Sequence, residues 1–386
     1  WLRRGGVKSA STNRSVPLRG DAIADVVIVG GGLTGAVIAW TFANAGFRTV
    51  VLEAGAVGHG STAANSALLM QEPDEDLRAL TRRYGPAAAN RIWQLGRSMT
   101  RNFIRTLRRL RIDCDMKQCD SVYYAADRDA IPTLRAEYER RRRAGFGGRW
   151  MPEGAIRTRG NAQLDPYRAC LGMLRAARGK GARVFERSAV RRVAQTPDGI
   201  RAVTAHGSVT ARRVIVATGY ATPRFKPLAG RFRMKHTYVV ATRPVAPALR
   251  RRLGIGDVML WDTERPYHYA RWTPDHRLLL GGGDRPVGSS RGPFRAATRD
   301  LRDHFVSLYP LLEDVPMAYA WEGLFAMTPD GLPYVGPHRR YPRHLFALGY
   351  GGNGMTFTFL AARLLLDWFR GRRSKDLRLF AFGRLR

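Results

Sequence analysis

The sequence predicts an α/β fold organised around a buried parallel sheet, and three observations carry that prediction. First, Val26 to Val29 is a charge-free apolar run with the length of a strand covered on both faces. Second, Gly30, Gly32 and Gly35 follow with G-x-G-x-x-G spacing and lead into helix formers up to Ala45, stopped by Gly46. Third, another buried run, Thr49 to Leu52, closes on an acid, Glu53. Each part has a physical job. Gly30 permits a tight turn, Gly32 lets the backbone approach a pyrophosphate, and Gly35 lets helix and strand pack closely. The helix start at Leu33 and Thr34 offers N–H groups and a positive dipole end to phosphates. Glu53 and its neighbour Ala54 stand where a ribose diol is held. The glycine spacing alone is a weak signal, but strand, helix, second strand and terminal acid together specify a dinucleotide site. A membrane helix over Val26 to Phe47, long enough and uncharged, is excluded by three consecutive glycines near its start and by Thr34, Thr41 and Asn44.

At 386 residues the chain can bury a large core and divides into two domains. Its formal net charge of +34 is extreme and almost entirely arginine. Such a charge can serve nucleic acid, an anionic membrane or acidic substrates. Here the arginines are scattered, no nucleic-acid motif accompanies them, and the densest run, Arg140 to Arg143, ends a helix at Gly145. The charge therefore reads as a solvated surface bias with no specific nucleic-acid partner. Cys114, Cys119 and Cys170 are odd in number and form no metal-ligand pattern, so no metal is expected and the thiols read as reduced, in a cytoplasmic protein. Nothing before Asp25 has the order of a secretory signal.

Residues 1–20 read as a lead-in, and 373–386 as a tail. From Ala54 to Met70 the chain is rich in small residues, as a backbone lying against a flat cofactor must be; Gly60, Ser61, Thr62 and Asn65 can donate to phosphates or a ring edge. Asp76 to Leu110 and Asp129 to Gly145 read as helices, with a strand over 119–126 between them. From Leu164 a helix, a Gly-Lys-Gly break and a strand restore the α/β character. Val190 and Val193 share a short strand, a hairpin turns at Pro197-Asp198-Gly199, and Arg213 to Gly219 is a buried strand that Pro223 ends. Residues 231–285 are strand-like, with Tyr267 to Trp272 and Leu278 to Leu280 flanking a turn at Pro274-Asp275. Asp300 to Tyr309 is helical. Finally, Gly351, Gly352, Asn353, Gly354, Met355 and Thr356 place backbone N–H groups at the start of a terminal helix, a second anion site.

Three blocks, the first glycine motif with Glu53, the A-T-G at Ala217, Thr218 and Gly219, and T-P-D-G-L-P-Y-V-G followed by G-Y-G-G-N-G-M-T, together resemble the D-amino-acid oxidase superfamily of FAD-dependent oxidoreductases. That group includes glycine and sarcosine oxidases and γ-glutamylputrescine oxidase, and the resemblance covers roughly residues 21–372. It implies a Rossmann-like FAD-binding domain assembled from 21–76, 167–222 and 326–372. An inserted α+β substrate domain with a mixed sheet is then made from 77–166 and 223–325. It also implies that Gly30, Gly32 and Gly35 line the pyrophosphate, that Gly60, Ser61 and Thr62 approach it, and that Glu53 holds the ribose. Asn65 and Ser66 approach the flavin ring, Val190 meets adenine, Ala217 to Gly219 close over FAD, and Gly351 to Thr356 face the pyrimidine end. Two departures stand out. Phe325 sits where amino-acid oxidases of the family place a carboxylate-clamping arginine. Ala63 and Ala64 follow Thr62 where covalent relatives carry a histidine, and His59 lies on the wrong side, so FAD is expected to be non-covalent.

The activity implied is oxidation of a C–N bond of an amine or N-substituted amino acid by hydride transfer to flavin N5. The pocket residues read from the sheet are Tyr267, Tyr269 and Arg271, with His236 and His268 as bases, Arg271 being the substitute for the missing carboxylate clamp. The electron acceptor is O2 or a quinone or other electron-transfer partner. A D-amino-acid dehydrogenase feeding a quinone, and a non-autonomous FAD subunit of a larger complex, share every one of these motifs.

Overall fold

The computed structural model describes residue 1 and residues 16–222, 225–288 and 294–385. Most of the expected lead-in, and Pro223, lie outside the described residues. Six strands form one sheet in the order Tyr334–His338, Tyr341–Leu348, Arg213–Gly219, Val26–Val29, Thr49–Leu52, Arg183–Phe185. All neighbours are parallel except the first pair. The apolar runs read from the sequence are therefore its central strands, buried because helices cover one face and a second sheet covers the other.

Helix Leu33–Asn44 is buried almost all round, which explains its lack of an amphipathic stripe. It packs between helices Pro166–Arg178 and Gly354–Phe369, with Val26, Ile28, Val51 and Ile215 of the sheet beneath it. Trp40 stacks on Phe359, and the Thr34 and Thr358 hydroxyls bond at 2.9 Å, joining the first and last helices of the unit. On the opposite face, Val27, Val50, Val214 and Phe346 pack on Ile200, Ala202 and Val209 of a four-stranded sheet. That sheet runs Gly20–Ile23, Gly207–Ala211, Gly199–Val203, Arg192–Thr196.

The third sheet is larger and mixed, in the order Met317–Met327, Arg233–Thr242, Leu278–Pro286, Tyr269–Trp272, Val258–Asp262, Lys117–Tyr124, Ala155–Gln163, Leu68–Leu69, with Arg149–Met151 paired to the seventh strand. Side-chain alternation sorts its two faces. Tyr238, Val240, Ala270, Trp272 and Leu280 meet helix Phe294–Leu308, while Val239, Tyr269, Leu279 and Trp261 meet Met70 and the helix Ile131–Arg143 on the other side.

Several sequence readings need correction. Gly20–Ile23 is a strand that pairs in parallel with Gly207–Ala211, so the lead-in ends in structure. Val190 lies outside the strand Arg192–Thr196, and Tyr267 lies before the strand that starts at Tyr269. Leu68–Leu69 pairs with the large sheet although it falls within 21–76, and Met317–Met327 runs across residue 326. The stretch after Asp76 is helical as read: Leu77–Arg109 is two helices meeting at a kink at Gly85 (φ 77°, ψ 163°), just before Pro86.

Candidate active site

The turn from Val29 into helix Leu33–Asn44 is set by close approach. Gly30 has φ 112°, and a Cβ there would lie 2.5 Å from the Ala217 carbonyl oxygen. A Cβ on Gly35 would lie 1.9 Å from the Gly30 carbonyl oxygen, so only glycine lets the helix start against its own strand. Glu53 Oε2 accepts from the Gly31 N–H at 2.7 Å and Oε1 from the Gly55 N–H at 2.8 Å, which fixes the carboxylate beside the turn. Thr62, in the short helix Ser61–Ala64, accepts from the Leu33 N–H at 2.9 Å through its hydroxyl. Thus the Gly60–Thr62 segment lies directly on the helix start, as its small residues require. Ala217, Thr218 and Gly219 end their strand here, and the Gly219 carbonyl accepts from the Gly349 N–H at 2.9 Å.

The second glycine loop leads into helix Gly354–Phe369, with Asn353 as its N-cap. No side chain caps that helix from within. Instead Asp74, a residue that the sequence did not single out, docks on the loop. Asp74 Oδ2 accepts from the Gly352 N–H at 2.7 Å, and Oδ1 accepts from the Asn353 side-chain amide and from the Tyr267 hydroxyl at 3.5 Å. A Cβ on Gly352 would collide with the Tyr267 hydroxyl, so loop, carboxyl and phenol touch one another. Burial pushes the Asp74 carboxyl up to about 7, against the opposing pull of the Gly352 N–H. Met355 and Thr356 point inward, the Thr356 hydroxyl donating to the Met70 carbonyl.

Above this loop lies the inner face of the large sheet. Tyr267 and Tyr269 sit with ring centroids 6.2 Å apart, Trp261 meets Tyr267 edge-on at 6.3 Å, and Tyr123 stacks on Trp261 at 3.7 Å. Burial pushes the Tyr269 phenol up to about 12 and Tyr267 well above its usual range, so both are neutral hydroxyls at physiological pH. Arg271 shares the face of Tyr269, as period-2 alternation requires, and is fully buried. Its Nε donates to the Ser66 carbonyl at 2.7 Å, its Nη1 to Gln163 and to the Trp272 carbonyl at 3.2 Å, and its guanidinium lies over Trp1. The Nε bond holds the 65–67 segment, where Asn65 Oδ1 accepts from the Ala67 N–H and Ala67 adopts φ 71°.

The two histidines do not join this wall. His268 turns to the other face of the sheet, stacks on His304 at 3.7 Å and bonds Asp262 at 3.1 Å. His236 lies 3.6 Å from Glu322 on a half-exposed stretch. Val190 is partly buried against the core beneath the four-stranded sheet. Asp74 escaped the sequence reading because its partners lie 193 and 278 positions away; the dense acidic run around it was the one visible signal.

The family profile of FAD dependent oxidoreductases, DAO, matches residues 25–368. The chain belongs to this family. Over 386 aligned residues it is 30% identical to the γ-glutamylputrescine oxidoreductase of Escherichia coli K12, covering 94% of this chain and 88% of the relative. It is 25% identical to a glycine oxidase of Bacillus licheniformis over 93% of this chain and 96% of that one. The glycine oxidase structure from Geobacillus kaustophilus superposes with a TM-score of 0.79 at 22% identity, covering 95% of this chain and all of that one. The family's cofactor is FAD, and the geometry fits it: the turn admits no Cβ at Gly30 or Gly35, and Glu53 is fixed beside it. The residues near the site fit the expectation of a non-covalent FAD. In keeping with this, His59 is exposed beside Tyr167. Cys170 is buried near the Gly31 carbonyl, where burial pushes its thiol far above the nucleophilic range. Among the described residues no helix is long and apolar enough to cross a membrane.

Proposed function

We propose that this family member oxidises the C–N bond of an amine, or of an amino acid substituted on nitrogen, to an imine that water then hydrolyses. FAD, when bound, would supply the electron sink for a hydride from the carbon next to nitrogen. The protein's part is to hold, orient and dry the substrate. Residues Gly30 to Gly35, Glu53, Ala54 and Gly60 to Thr62 would hold the dinucleotide. Asn65, Ser66 and Gly351 to Thr356 would border the ring, and helix Gly354–Phe369 would turn its positive end to it. Tyr267 and Tyr269 would form the wall over the reacting carbon, both as neutral hydrogen-bond donors.

The observation that carries this reading is the disposition of charge on that wall. Phe325 stands in the strand Met317–Met327 where an α-carboxylate clamp is expected, and Arg271 already donates to chain carbonyls. A simple α-amino acid therefore lacks its main anchor, which favours the amine side of the family and agrees with the activity printed for the Escherichia coli relative. The test is an anaerobic screen of amines, N-substituted amino acids and plain amino acids against the purified holoprotein, watching the oxidised flavin absorbance. Bleaching by amines ahead of plain amino acids is expected. Bleaching by α-amino acids alone would contradict the reading. Repeating the positive reactions in air and with a quinone then separates oxidase from dehydrogenase, and turnover by the isolated chain separates an enzyme from a dependent subunit.

A further inference from the structure

In a chain with 65 basic and 31 acidic residues, four acids fall within five positions, at Glu72, Asp74, Glu75 and Asp76. The structure sorts them. Glu72 is buried and accepts from Ser121 at 3.1 Å and Asn161 at 3.2 Å, a role inside the fold. Asp76 stands at the N-cap position of helix Leu77–Arg109, whose first N–H groups Glu137 accepts, and lies 4.0 Å from the buried Arg141. Glu75 packs against Gly331. Asp74 alone reaches the glycine loop and Tyr267, and its hydrogen-bond partners are neutral dipoles: an amide N–H, an amide NH2 and a phenol hydroxyl. Dipoles orient a carboxylate without cancelling its charge, so a half-buried carboxylate held this way favours an incoming cation.

The groups that face Asp74 complete the picture. Glu75 lies beside it on its own loop, Arg265 faces it from the connection before Tyr269, and Asp284 from the strand Leu278–Pro286. Arg265 is shared with Tyr123, Asp76 and Glu75, and Lys235 faces Asp284, so neither cation is dedicated to Asp74. Next to Asp74 stands the aromatic wall of Tyr267, Tyr269 and Trp261, whose ring faces attract cations. Beside Asp284 and Tyr269 lies the buried Thr237 hydroxyl.

We propose that Asp74 is the amine-recognition residue of this site: held by Gly352, Asn353 and Tyr267, its carboxylate pairs with the ammonium nitrogen of a cationic substrate whose reacting end carries no carboxylate. The inference rests on the function proposed above and narrows its substrate class to primary or secondary alkylamines. It also assigns the proton that must leave before the nitrogen lone pair can assist C–H cleavage. One proton passes from R–CH2–NH3+ to an Asp74 oxygen, giving R–CH2–NH2 and the neutral carboxyl; no electron moves in this step.

The test uses the holoenzyme with its flavin pre-reduced by dithionite, so that ligands bind without turnover. Calorimetry compares n-butylamine, butyrate and n-butanol on wild type and Asp74→Asn. Wild type is expected to bind butylamine at least about tenfold more tightly than either other probe, with affinity rising as pH is raised through about 7 as the carboxyl ionises. Asp74→Asn is expected to lose at least about tenfold for butylamine, a difference of about 1.4 kcal/mol, to lose the pH dependence and to leave butanol unchanged. Equal butylamine affinity in the variant, a wild-type preference for butyrate, or a flat wild-type pH profile would overturn the proposal. The last two need no variant and hold even if Asp74→Asn retains flavin poorly. The two levels stay distinguishable: amines that bleach the oxidised flavin while Asp74→Asn binds them normally would remove Asp74 and keep the function, whereas no bleaching by any amine or N-substituted amino acid would remove the function.

Discussion

The dinucleotide turn and the proposed amine wall lie in one protein but would recognise by opposite means. At the turn, side chains are absent by necessity: Gly30 and Gly35 each leave room for a carbonyl oxygen that a Cβ would strike, and backbone N–H groups would do the binding. At the wall, recognition would belong to side chains from remote segments, with Asp74, Tyr267 and Tyr269 brought together by sheet and loop packing. Backbone recognition demands a local pattern in sequence, because only consecutive residues can form one turn. Side-chain recognition leaves no local pattern. The first region is therefore sensitive to any added atom and the second to specific charge, and mutation separates them.

The largest effect is expected at Gly35→Ala. Its methyl group would force the helix off its strand at a cost of about 3 kcal/mol or more, and the purified protein should lack FAD and melt early. Arg271→Ala comes next. It strips the Ser66 and Trp272 carbonyls and Gln163 of a buried donor, and should destabilise by about 3 kcal/mol in urea unfolding. Its effect on kcat/KM should track FAD occupancy and be equal for substrates with and without a carboxylate. A selective loss for carboxylated substrates would restore Arg271 as a substrate clamp. Glu53→Ala removes the acceptor for the Gly31 and Gly55 N–H groups as well as the expected ribose partner. FAD affinity should fall about 10- to 100-fold in a dialysis titration, with the amine preference unchanged.

A smaller, pH-dependent effect is expected at Asp74. Its folded carboxyl is raised to about 7. The folded state therefore holds more protons than the unfolded chain between about pH 4 and 7, and stability falls as pH rises through that window. Asp74→Asn removes this penalty. The variant should match wild type near pH 4.5 and gain about 2 kcal/mol near pH 8, a figure discounted for partial solvent access. Equal pH dependence of melting in the two proteins would contradict the burial assigned to Asp74.

What the sequence conveyed follows the same division. The strand–turn–helix, the A-T-G corner and the terminal glycine loop were legible, because each is a continuous run whose residue types are dictated by φ or by close approach. The inner strands of the six-stranded sheet were legible from apolar runs and β-branched residues, but Ala155–Gln163, an inner strand of the larger sheet, was missed because Arg157, Arg159, Asn161 and Gln163 break its apolar pattern. The strand Gly20–Ile23 was missed because it is short and polar and owes its form to pairing with Gly207–Ala211. Tyr269 and Arg271 were placed on one face correctly by alternation, but alternation does not tell which carbonyls a guanidinium will meet. His268 was set among the bases by proximity in sequence, and the same alternation puts it on the far side, against His304.

The central claim, an FAD enzyme built on that glycine turn, is tested most directly by the colour of the protein. Purified wild type should be yellow, and acid precipitation should leave the yellow cofactor in the supernatant, identified as FAD by its mass. Colour that stays with the pellet would show a covalent bond and contradict the non-covalent site, and a colourless protein that fails to take up added FAD would contradict the whole account.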